Sequence, residues 1–158
     1  MSSTGLRNLD HALQTTNEWI RELDDKLGWD NRQQSYMALK AVLHGLRDQL
    51  TVEEGAHFAA QLPLIVRGVY YDGWKPSKVP VKDRDLDKFL DRVRANYKQA
   101  PGPDMIDATW ICRAVISLLT AHISQGELDD VRGMLPKEIV REVWPTSLNG
   151  GQAPQPRG

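Results

Sequence analysis

Apolar residues recur along most of this chain at alternating intervals of three and four, the period of a helix with one buried face. Over residues 30–50, Tyr36, Leu39, Leu43, Leu46 and Leu50 form such a stripe, while Arg32, Gln33, Lys40 and Arg47 fall on other faces. Ala38, Ala41 and Gly45 lie beside the stripe, where small side chains permit a neighbouring helix to come close. An earlier amphipathic helix is predicted over residues 18–27, capped by Thr15 or Thr16 or starting upstream near Asn8, and stopped by Gly28.

Thr51-Val52-Glu53-Glu54 reads as a capping box, with a hydroxyl and a carboxylate three residues apart satisfying two backbone donors at a helix start. It opens a third helix through Phe58 and Leu62. Pro63, which cannot donate a backbone hydrogen bond, suits the first turn of a fourth helix to about Tyr71. Residues 72–82 then read as a linker, broken by Gly73, Pro76 and Pro80.

The plan then recurs. Ala41-Val42-x-x-Leu46-x-x-x-Leu50-Thr51-x-x-Glu54, followed by Leu62-Pro63, lies without a gap over Ala114-Val115-x-x-Leu119-x-x-x-Ile123-Ser124-x-x-Glu127, followed by Leu135-Pro136, 73 residues further on. Helices are predicted over residues 83–98, 104–123, 125–134 and 136–144, with a Pro-Gly-Pro break at 101–103 and a second capping box at Ser124-Gln125-Gly126-Glu127. No β-branched alternating run appears, so no strand is predicted. The expected fold is all-α: a bundle of about eight helices in two tandem homologous repeats, residues 15–74 and 83–145, sharing one core. Residues 1–14 are expected to be partly ordered and the apolar-poor tail 146–158 disordered.

Composition narrows the picture. With 158 residues the chain makes one ordinary domain. Twenty Lys and Arg against 21 Asp and Glu lack the basic excess of a non-specific nucleic-acid binder. The single Cys112 lies in an apolar run and reads as a small buried residue. No signal-peptide pattern and no window of about 18 apolar residues is present, so a cytoplasmic location without membrane contact is expected.

Catalytic patterns are sparse. No Gly-x-Ser-x-Gly elbow, no phosphate-binding glycine loop and no dinucleotide fingerprint occurs. Among His11, His44, His57 and His122, the one ligand-like spacing is Glu53 with His57, which random helical sequence often supplies, so neither a metal site nor a cofactor is expected.

The segment from Arg67 to Lys78 exceeds structural need. Tyr70, Tyr71 and Trp74, beside Arg67, Lys75 and Lys78, combine the aromatic and basic groups that interfaces favour. The first expectation is therefore a non-enzymatic binding protein that engages a protein partner or a second copy through Arg67, Tyr70, Tyr71, Trp74 and Lys75. The alternative is a small-ligand or enzymatic site between the repeats, using His44, Arg47 and Asp48. A third reading, nucleic acid on Arg84, Lys88, Arg92 and Arg94, is opposed by the interleaved Asp85, Asp87 and Asp91.

Several runs carry a family likeness: Thr15-Thr16-Asn17-Glu18-Trp19; Tyr36-x-Ala38-Leu39-Lys40-Ala41-Val42-Leu43-His44-x-Leu46-Arg47-Asp48; Ala60-Gln61-Leu62-Pro63 through Arg67-Gly68-x-Tyr70-Tyr71-Asp72-Gly73-Trp74; and Leu135-Pro136 with Trp144-Pro145. On these the chain resembles the bacterial family known as domain of unknown function 2267, over about residues 15–145. The resemblance implies an all-helical duplicated domain and carries over no catalytic residue, cofactor or ligand.

Overall fold

Helix starts fall where short polar side chains can reach back to bare amide groups. Asn31, Thr51, Asp85, Asp107 and Ser124 each accept a hydrogen bond from the backbone three residues on. The computed structural model describes residues 4–97 and 106–145. In order these form α1 (Arg7–Leu27), α2 (Arg32–Asp48), α3 (Val52–Ala59), α4 (Leu64–Tyr71), a 3₁₀ turn (Pro76–Lys78), α5 (Leu86–Asn96), α6 (Ala108–His122), α7 (Gln125–Met134) and α8 (Lys137–Val143), with no strand among the described residues.

Several boundaries differ from the sequence expectation. Helix α1 starts at Arg7, beside the upstream start near Asn8 rather than at Thr15 or Thr16, and Thr16 is an interior residue whose hydroxyl donates to the Ala12 carbonyl at 2.8 Å. Pro63 and Pro136 stand one position before their helices, as N-caps. Helix α5 begins at Leu86 and α6 at Ala108, three and four residues later than expected. The expected break at 101–103 and the tail 146–158 lie outside the described residues.

The third and fourth helices of each half begin 73 residues apart, at Val52 and Gln125 and at Leu64 and Lys137. Their caps differ in one respect. Thr51 and Glu54 complete a reciprocal capping box, whereas at Ser124 only the hydroxyl acts as cap and the Glu127 carboxylate turns to His57 at 2.9 Å.

Two helices form the centre. Helix α2 packs against α1, α4, α5 and α6, and α6 also contacts α1, α5, α7 and α8. Leu39, Leu43 and Leu46 of α2 meet a core containing Ile111, Val115 and Leu118 of α6, Trp19 and Leu23 of α1, and Phe89 and Val93 of α5. Each such buried side chain contributes about 1.5–3 kcal/mol by leaving water. Trp110 and Trp144 are buried and Trp29 is packed at the core margin. Polar ties fix the connections: the buried Asp24 carboxylate accepts from the Asn31 amide at 3.0 Å and the Ser35 hydroxyl at 2.7 Å, holding α1 against the start of α2. No helix among the described residues is long and apolar enough to cross a membrane.

Small residues on α2 set how close α5 can come. A Cβ at Gly45 would lie 2.9 Å from Val93 Cγ2 and 3.4 Å from Phe89 Cε1, while Asn96 donates to the Ala41 carbonyl at 3.2 Å. Gly45→Val should therefore destabilise the fold by about 3 kcal/mol, because added methyl groups must push α5 away. Urea unfolding checks this, and a cost below about 1 kcal/mol would mean that the helices separate freely.

Candidate functional site

The helical period places Met37, Lys40, His44 and Arg47 on one flank of α2, beside the apolar stripe. The turn after α4 brings Asp72 and Gly73 opposite them, and Asn96 closes the recess from the end of α5. The result is a polar cleft of about 310 Å³. Gly73, at φ +75°, takes the left-handed conformation that turns the chain back toward Trp74, whose amide donates to the Tyr71 carbonyl at 2.9 Å.

Each charged group in the cleft has a defined role. Lys40 pairs with Asp72 at 2.9 Å, which raises the lysine pKa and lowers that of the aspartate through the shared hydrogen bond. Arg47 is buried. Its Nη1 donates to the carbonyls of Tyr70 and Asp72, both at 2.9 Å, and its Nε to Asp48 at 2.9 Å. It thus supplies donors to the otherwise bare end of α4. His44 lies half-buried with Nε2 2.7 Å from the Val69 carbonyl. Since a carbonyl only accepts, Nε2 carries the proton. Desolvation lowers the His44 pKa, so the ring is neutral near pH 7 and Nδ1 is an acceptor.

Of the alternative trio, His44 and Arg47 line the cleft, and Asp48 does not: its carboxylate is turned onto the Arg47 guanidinium. Sequence reasoning missed Lys40, Asp72 and Asn96 as partners. The spacing of Lys40, His44 and Arg47 was readable as one helical face, but Asp72 and Asn96 come from other elements.

The aromatic segment divides in two. Tyr70 is fully buried; its hydroxyl donates to the Gly55 carbonyl at 3.1 Å, and burial pushes its pKa above the usual tyrosine range. Arg67 spends its guanidinium on the end of α3, donating to the carbonyls of Ala59 at 3.1 Å and Leu62 at 2.9 Å. Of the two expected contact residues, Tyr70 is thus enclosed in the core, while Arg67 stays half-buried with its Nε and Nη2 held within the chain. Tyr71 and Trp74 are half-buried, edge to face at 5.2 Å, and Lys75 is exposed. Phe58, Tyr70, Tyr71 and Trp74 form a continuous series of edge-to-face contacts from core to surface.

The basic residues of the nucleic-acid reading are largely committed within the chain. Arg84 donates to the carbonyls of Gln49 and Met134, Arg92 to that of Asp83, and Arg94 pairs with Asp91. Cys112 is fully buried, and desolvation raises its pKa, which opposes thiolate formation. Packing of α3 on α7 also gathers His57, Glu127 and Asp130, a grouping that sequence spacing did not reveal.

Fold and cleft together define an all-helical protein with a polar recess between α2, the end of α4 and α5. The chain belongs to the family described as uncharacterized conserved protein (DUF2267), whose model matches residues 16–141. No curated protein matches the chain.

Proposed function

We propose that this is a non-enzymatic binding protein of the bacterial cytoplasm, built by duplication of a helical unit, whose contact region is the α2 cleft with Tyr71, Trp74 and Lys75 beside it. The favoured partner is a protein presenting a carboxylate side chain. One observation carries this reading: the cleft holds its accessible cation, Lys40, through a single ion pair to the exposed Asp72. Exposed pairs contribute little stability and exchange partners readily, so an incoming carboxylate can take the place of Asp72 on Lys40. Tyr71 and Trp74 then supply apolar area next to that contact, as interface anchors do. The shared offset of the caps Thr51 and Ser124, and of Pro63 and Pro136, supports the duplication.

The test is capture from an extract of the native host. Lys40→Ala and Trp74→Ala should each reduce recovery of the same partner at least about tenfold, an interface-anchor effect of roughly 1.4 kcal/mol or more. Both should melt within about 2 °C of the wild type, as substitutions at partly exposed positions usually do. Equal recovery by wild type and both variants would overturn the reading.

A small acidic molecule that also carries a hydroxyl is the second reading, its carboxylate meeting Lys40 and its hydroxyl donating to the Nδ1 acceptor of the neutral His44 ring. Such a ligand would be lost in Lys40→Ala and retained in Trp74→Ala, which separates the two.

A further inference from the structure

We propose that His57 of α3 with Glu127 and Asp130 of α7 form a binding site for a divalent transition-metal ion, zinc being the best fit. One donor atom from each of the three side chains lies within 4.8 Å of the other two, and His57 Nε2 stands 2.9 Å from Glu127 Oε2. Ligands of a tetrahedral zinc ion at about 2.1 Å are about 3.4 Å apart, so a separation at the 4.8 Å limit needs to close by about 1.4 Å. The side chains are free enough to do so: His57 and Asp130 are exposed and Glu127 is half-buried.

The donor set sets the metal class. Two carboxylates and a neutral imidazole place a charge of about −2 around the ion, and three protein ligands leave the remaining position to water. An imidazole nitrogen favours zinc and its transition neighbours over calcium or magnesium, which prefer oxygen donors throughout. Among the described residues, the polar neighbours on α7 are spent on a different carboxylate. Arg132 pairs with Asp129 rather than Asp130, and Gln125 also donates to Asp129.

A second feature is the departure of Glu127 from the capping geometry of its counterpart. Glu54 accepts from the Thr51 amide at 2.9 Å, whereas Glu127, at the corresponding place in α7, faces His57 across the helix pair. His57 and Asp130 likewise stand at corresponding places, 73 residues apart, so the three donors meet where the two short helices pack. A bound ion would join α3 to α7 and tie together the two halves of the chain. This site is separate from the α2 cleft and stands whether or not that cleft binds a partner.

Calorimetric titration of the metal-free full chain with zinc chloride tests the proposal, with the melting temperature measured in parallel. One equivalent should bind with a dissociation constant in the micromolar range, and a hundredfold excess over that constant should raise the melting temperature by about 8 °C. His57→Ala and Asp130→Asn, both at exposed positions, should each weaken zinc at least tenfold, while His11→Ala and His122→Ala leave it unchanged. Magnesium and calcium should bind at least a hundredfold more weakly. Zinc binding weaker than about 1 mM, binding that survives both His57→Ala and Asp130→Asn, or calcium binding as tight as zinc would overturn the assignment.

Discussion

Tyr70→Ala is expected to lower the unfolding free energy by about 4 kcal/mol, the range for truncating a large buried aromatic. The ring is wholly out of water and touches Phe58 and Tyr71 edge to face, at centroid separations of 5.5 and 5.1 Å. Its loss opens a cavity between α3 and α4 and removes the hydroxyl that holds the Gly55 carbonyl. For a domain with a total stability of about 5–15 kcal/mol that is a large fraction. Tyr70→Phe isolates the hydroxyl and should cost about 1 kcal/mol, the net worth of one hydrogen bond. Chemical denaturation of the three proteins checks both figures. If Tyr70→Ala melts like the wild type and loses a binding partner instead, Tyr70 belongs to an interface rather than to the core.

Arg47→Met is expected to cost about 3 kcal/mol. The methionine preserves much of the packed stem but leaves the carbonyls of Tyr70 and Asp72 without their donor, and buried acceptors deprived of a charged partner are expensive. Because both carbonyls close α4, amide exchange should accelerate through residues 64–72 before it does so in α6. Asp48→Asn serves as the control. It weakens only the Nε contact of a partly exposed carboxylate and should cost less than about 1 kcal/mol. Equal costs for the two substitutions would show that the ion pair, and not the closure of α4, is what Arg47 contributes.

The same residue shows how far the sequence could be read. His44, Arg47 and Asp48 put three chemically capable groups on one helix in the sequence, and of these His44 and Arg47 line the cleft. The role of Arg47 was not readable, because the carbonyls it serves are more than twenty residues away and carry no side-chain signature. Tyr70 and Tyr71 illustrate a second limit. Adjacent aromatics on a helix point about 100° apart, so one faces the core and the other the rim, and composition alone treats them alike. Asp72 and Asn96 join the cleft from separate elements, and His57 joins Glu127 and Asp130 from opposite halves; none of these meetings is encoded in local spacing.

By itself the sequence determined what short-range physics determines. The three-and-four period of Leu39, Leu43 and Leu46 specifies a helix with one buried face, and the caps Thr51, Ser124, Pro63 and Pro136 mark where helices start. Glycine and proline after those helices stop or turn the chain. Only the tertiary structure decided which polar groups are spent and which remain available. Arg67 and Arg84, basic in sequence, serve carbonyl groups of other segments, whereas Lys40 is left facing a cleft with one exposed partner. The reason is that helix formation satisfies backbone groups within a few residues, while the bare ends of helices, buried charges and clefts are completed by whatever the packing brings alongside.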